Sequence, residues 1–135
     1  MADTIKLEIV TPYKKVLSVE AEEIAVPGSV GELGILPGHT PLLTTLKVGE
    51  LSYKVDGKVQ HLAVNWGYLE VADDMATVLV ETAEPADEID LERAKAALGR
   101  AEGELAKLSS EEKEFKIMEA ALERAVIRIQ VAGKK

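Results

Sequence analysis

At 135 residues the chain has room for one domain, or for one domain with an appendage. Its net charge of −8 argues against nucleic acid as the main ligand, because phosphate binding needs a clustered basic surface, and the lack of cysteine excludes a disulfide scaffold, a thiolate metal site and a cysteine nucleophile. With 47% hydrophobic and 30% charged residues it has a globular balance, and its apolar runs fall far short of the ~20 residues that a spanning helix needs.

The first part of the chain reads as β. Ile5, Leu7 and Ile9 alternate with Lys6, Glu8 and Val10, the period of a strand with one buried face, and Thr11-Pro12 ends it. Val16, Ser18 and Glu20 alternate less cleanly before a short strand at Ile24-Ala25-Val26. Next comes Gly28 to Thr44, with four glycines and two prolines among apolar residues, which reads as a shaped, rigid connector. Asp56-Gly57 joins two alternating runs, Gly49–Val55 and Lys58–Val64, and is a strong hairpin signal because both turn residues tolerate positive φ. Asp73-Asp74 joins Tyr68–Val71 to Met75–Val80 in the same way. Many short strands with frequent turns predict an all-β antiparallel sandwich or barrel.

The composition breaks near Pro85. All five prolines, seven of the ten glycines and four of the five aromatics lie in residues 1–85, and the first arginine is Arg93. Residues 1–85 carry six lysines against thirteen acidic residues, so nearly all of the net charge lies there. Two units are expected, a β unit over 1–85 and a helical unit over 86–135. In the second, Asp90 is a good N-cap, with Ile89 placed to staple against Ala94. Leu91, Ala94, Leu98, Ala101, Leu105 and Leu108 recur at helical spacing. Ser109-Ser110 breaks the run, and Ser109 with Glu112 has capping-box spacing for a second helix striped by Phe115, Met118, Leu122, Ala125 or Val126, and Ile129. The prediction is an antiparallel helical hairpin. Gly99 and Gly103 each cost helix one about 1 kcal/mol relative to alanine, and some 45 residues of hairpin are too few to fold unaided. The hairpin must dock on the β unit, on a partner, or alternate between them.

Nothing in the chain supports catalysis. His39 and His61 are the only histidines and read as structural, no nucleophile elbow or phosphate loop is present, and no metal site is expected. Trp66 and Tyr68, two residues apart, read either as a sugar-stacking platform or as core and edge residues of the sandwich. Arg93 with Arg100, and Arg124 with Arg128, each share a helix face, so they are either surface arginines or a cradle for an anion such as a polyphosphate.

The run Gly31-Glu32-Leu33-Gly34-Ile35-Leu36-Pro37-Gly38-His39-Thr40-Pro41-Leu42-Leu43 closely resembles the signature of the epsilon subunits of F-type ATP synthases. The resemblance continues through Val48-Gly49-Glu50-Leu51 and Ala63 to Val71. It then runs through Ala83-Glu84 and Ile89-Asp90-Leu91-Glu92-Arg93-Ala94 to Ala121-Leu122-Glu123-Arg124-Ala125, covering essentially the whole chain.

That resemblance implies a ten-stranded sandwich at the foot of the central stalk, against the gamma subunit and the c-ring. It implies a two-helix hairpin that is either compact on the sandwich or extended toward the alpha and beta subunits, where it inhibits ATP hydrolysis. Glu32 matches a position facing the c-ring, and His39, Thr40, Leu42 and Leu43 match the segment near gamma. Glu84, Ile89, Asp90, Arg93, Ala94, Arg100, Arg124 and Arg128 match the positions through which some members bind ATP as a regulatory ligand; no cofactor is required. The implied location is peripheral, at the cytoplasmic face of a bacterial inner membrane, with membrane association only through the complex. A free-standing ligand-binding sandwich is the alternative.

Overall fold

The computed structural model describes residues 3–134. Ten strands come first: β1 (Ile5–Val10), β2 (Lys15–Ala21), β3 (Glu23–Gly28), β4 (Gly31–Ile35), β5 (Leu42–Leu46), β6 (Gly49–Val55), β7 (Lys58–Val64), β8 (Gly67–Ala72), β9 (Met75–Val80) and β10 (Ala83–Pro85). A single 3-10 turn, Ala86–Glu88, leads to two helices, α1 (Leu91–Leu105) and α2 (Lys113–Ala132).

The strands hydrogen-bond in the order β10-β7-β6-β3-β5-β8-β9-β1-β2, with β4 on the remaining edge of β3. β3 and β5 are in register only briefly, at the pair Gly28–Leu46, which is where the sheet turns from one layer to the other. Both layers contribute to one core: Ile5, Leu7 and Ile9 of β1 meet Leu51 of β6, Leu69 of β8 and Val78 of β9, and all six are fully buried. This is the expected sandwich. One pairing departs from the antiparallel pattern, because β1 runs parallel to β9 with Leu7 opposite Ala76. The glycine-rich stretch also does more than connect: it supplies β4 and β5.

The turns follow the local chemistry. Asp56 (φ 51°) and Gly57 (φ 77°), and likewise Asp73 (φ 51°) and Asp74 (φ 57°), have the paired positive φ of tight hairpins. The Asp74 carboxylate also reaches across the fold and accepts from the Gly38 N–H at 2.6 Å. That bond pins the turn Leu36–His39, which has Gly38 at φ 84° and His39 N–H donating to the Leu36 carbonyl. At Gly67 a Cβ would lie 1.9 Å from the Leu79 carbonyl oxygen, so only glycine fits between β8 and β9 there.

The helices form the expected hairpin. Asp90 caps α1, its side chain accepting from the Arg93 N–H at 3.1 Å. The capping box at Ser109 does not form. Its hydroxyl accepts from the Glu111 N–H instead, and α2 starts only at Lys113. A short side-chain bond two residues ahead has outcompeted the helical cap. α1 rests chiefly on α2, and α2 lies on β6, β7 and the 3-10 turn. The contact there is a small second core of Ala63, Ala86, Ile89, Val131 and Ala132, joined by Leu91 and Ile127.

Candidate functional site

The junction between sandwich and hairpin is where the anion-binding set was expected, and the structure gathers part of it. Residues directly opposite one another on paired strands share a face, and the register places Glu50 of β6 and Glu84 of β10 on either side of Ala63 of β7. Ala63 is the floor on which Ile127, Val131 and Ala132 sit. Glu84 takes Arg128 in a two-pronged pair: Nε donates to Oε1 at 2.7 Å and Nη2 to Oε2 at 3.1 Å. Glu84, Arg124 and Arg128 line one cleft with Val48, Asn65 and Thr82.

The cleft measures about 40 Å³, room for a water molecule and not for a nucleotide. The other members of the set stand apart from it. Ile89 and Ala94 are buried, Ile89 in the second core. Asp90 is committed to capping α1. Arg93 and Arg100 are exposed on α1 and, among the described residues, line neither this cleft nor any ion pair.

On the other side of the floor, Glu50 divides its two oxygens. Oε2 faces His61 Nδ1 at 2.7 Å, and Oε1 accepts from Lys134 Nζ at 2.6 Å, just beyond the end of α2. Burial pushes the Glu50 carboxyl up, but the hydrogen bonds and positive charge of Lys134 and His61 outweigh it and hold the group below the ordinary glutamate range. His61 thus has a carboxylate partner on the neighbouring strand, and that partner is what the sequence did not disclose.

The expected partner contacts fall on the sandwich. Glu32 is exposed on the edge strand β4, next to a turn whose Val30 is 98% exposed. His39 is half-buried, with Nδ1 2.6 Å from the Thr40 carbonyl, and Thr40 itself is exposed. Leu42 packs against the core, which leaves Leu43, 70% exposed, as the outward member of that pair.

The sequence reading missed a larger apolar surface on the same layer. Register sets Thr45, Tyr68, Leu79 and Val10 in one row across β5, β8, β9 and β1. Tyr68 and Leu79 are about half exposed, and with Trp66 and Pro12 they line an open groove of about 470 Å³. Trp66 and Tyr68 are thus on the surface and not in the core. The signal available was Leu79, an outward leucine in a strand whose Ala76, Val78 and Val80 already form the inward set.

Comparison with known proteins decides the family. The beta-sandwich domain of ATP synthase delta/epsilon chains matches residues 4–86, and the long alpha-helix domain of the same chains matches residues 87–133. This chain belongs to the ATP synthase epsilon family. The chain is 67% identical to an ATP synthase epsilon chain of Geotalea daltonii and 66% identical to one of Geobacter sulfurreducens, in each case over 99% of its own length and 97% of the relative's. Among solved structures it resembles a chain of the Euglena gracilis mitochondrial ATP synthase OSCP/F1/c-ring assembly, with a TM-score of 0.81 and 25% identity over 96% of this chain and 81% of that one. A central stalk/c-ring chain from Tetrahymena thermophila, 16% identical with a TM-score of 0.55, shares the fold. As an epsilon-type chain it is a non-catalytic subunit of ATP synthase, which displaces the free-standing ligand-binding sandwich as a reading.

Proposed function

We propose that this chain is a central-stalk subunit of a bacterial, proton-translocating F-type ATP synthase. Its sandwich joins gamma to the c-ring, and its hairpin restrains ATP hydrolysis by leaving the docked form for an extended one that reaches the alpha and beta subunits. The location that follows is peripheral, on the cytoplasmic face of the inner membrane; no described helix is long and apolar enough to cross a membrane. The observation that carries the reading is how thinly the hairpin is held. α1 rests chiefly on α2, and α2 meets the sandwich over a floor of two alanines and a few aliphatic side chains. A switch needs two states within a few kcal/mol of each other, and a small floor supplies a small gap.

The test is reconstitution. The full chain should be retained on immobilised gamma with the c-ring and should inhibit hydrolysis by the assembled enzyme. A chain ending after Pro85 should still be retained and should not inhibit. Equal inhibition by the shortened chain would defeat the hairpin mechanism.

ATP as a regulatory ligand of the docked hairpin is a second reading, favoured by Glu84, Arg124 and Arg128 lining one cleft. Binding requires that cleft to widen and Arg128 to exchange Glu84 for phosphate, with Arg93 and Arg100 swung in from α1. Titration calorimetry with ATP should show heat for the wild-type chain and none for Arg128→Ala; an unchanged affinity in that variant would reject the site.

A further inference from the structure

α2 is gripped twice, and the two grips are matched in spacing. Glu50 and Glu84 lie one strand either side of Ala63, so about 10 Å separates their backbones. Their cations, Arg128 and Lys134, are six residues apart at the C-terminal end of α2, about 9 Å along a helical path. A helix displaced by one turn over the alanine floor could satisfy only one carboxylate. The pairs differ in build. Arg128 fills both oxygens of Glu84, whereas Lys134 takes one oxygen of Glu50 and His61 takes the other.

We propose that Glu50, oriented by His61 and closed by Lys134, is a clasp that holds the C-terminal end of α2 on the sandwich independently of Glu84–Arg128, and so sets how readily the hairpin leaves. His61 is the positioning residue. A long side chain in an exposed ion pair loses much of the gain to its own rotamer freedom, and the imidazole removes that freedom from Glu50 before Lys134 arrives. The clasp involves no residue of the anion-binding set. It therefore keeps the end of the helix in place while Arg128 is free to change partner, and it stands whether or not ATP binds.

Hydrogen exchange on the full chain without nucleotide tests it. Lys134→Gln and Glu50→Gln should each speed exchange of the amides of 127–132 by about threefold, and the double variant should exchange no faster than either single one. His61→Ala should speed the same amides in the wild-type background and leave Lys134→Gln unchanged. The amides of β1 and β9 should exchange as in the wild type throughout. Unaltered exchange at 127–132 in Lys134→Gln, effects that multiply in the double variant, or an equal acceleration in β1 and β9 would each overturn the clasp.

Discussion

Glu84 and Arg128, forty-four positions apart, form a two-pronged ion pair at the junction of sandwich and hairpin, with the guanidinium side chain 26% exposed. A planar fork that fills both carboxylate oxygens is the strongest arrangement open to such a pair. Its loss should fall on docking and not on the sandwich. Arg128→Ala should destabilise the docked hairpin by about 1 kcal/mol, read as faster exchange along α2 with the amides of β8 and β9 unaffected. Arg128→Lys should recover little of the loss, because a lysine cannot bridge both oxygens.

Docking should also weaken in acid, through Glu50. Its carboxyl is held below the ordinary glutamate range when α2 is in place, and it loses the share that Lys134 contributes when the hairpin is released. A depressed acid contributes stability that is fully present above the unfolded value and is lost as pH falls through the lower, folded value. The docked state should therefore hold from neutrality down to the ordinary glutamate range and loosen below it. Exchange or proteolysis of the hairpin measured against pH checks this. Glu50→Gln should remove most of that acid dependence, with the remaining slope carried by other carboxylates.

Helix α1 carries two open vacancies. A Cβ at Gly99 or Gly103 would meet nothing within 4 Å, and neither glycine has a positive φ, so no packing need accounts for them. Each substitution by alanine should stabilise the hairpin by about 1 kcal/mol, visible as higher helicity and a later hairpin transition in urea. If the weakness of α1 helps the hairpin change form, the double variant Gly99→Ala with Gly103→Ala should also alter inhibition of hydrolysis in the reconstituted enzyme.

Local chemistry was legible in the sequence, and long-range pairing was not. The Asp-Gly and Asp-Asp turns, the Asp90 cap and the two helices are decided by neighbours within a few residues and formed as read, whereas Leu108 falls beyond the end of α1 and the Ser109 box did not form. The parallel pairing of β1 with β9 joins segments some seventy residues apart and leaves no periodic trace. β4 was hidden because Gly31 and Gly34 interrupt its alternation, and β5 because Pro37, Gly38 and Pro41 crowd the approach to it, although backbone pairing with β3 and β8 needs no apolar pattern. Helix spacing singled out Arg128, but Glu84 came from resemblance alone, since the register that places it beside α2 is a property of β7 and β10. Glu50 and His61 are brought together by the β6–β7 pairing, which leaves no trace of which side chains will meet, and only the docking of α2 adds Lys134.

The apolar row on the outer layer offers the most direct test of the partner assignment. Tyr68 and Leu79 face each other across β8 and β9, about half exposed, with Val10 beyond Leu79 on β1. Interface energy concentrates in a few such aromatic and aliphatic anchors surrounded by weaker contacts. An outward position carries little folding energy, so Leu79→Lys should leave the thermal midpoint within a few degrees of the wild type. The same change puts an unpaired charge into any surface that covers the row, and should weaken retention on gamma by at least about tenfold. Retention of Leu79→Lys equal to that of the wild type would move the gamma contact to another face.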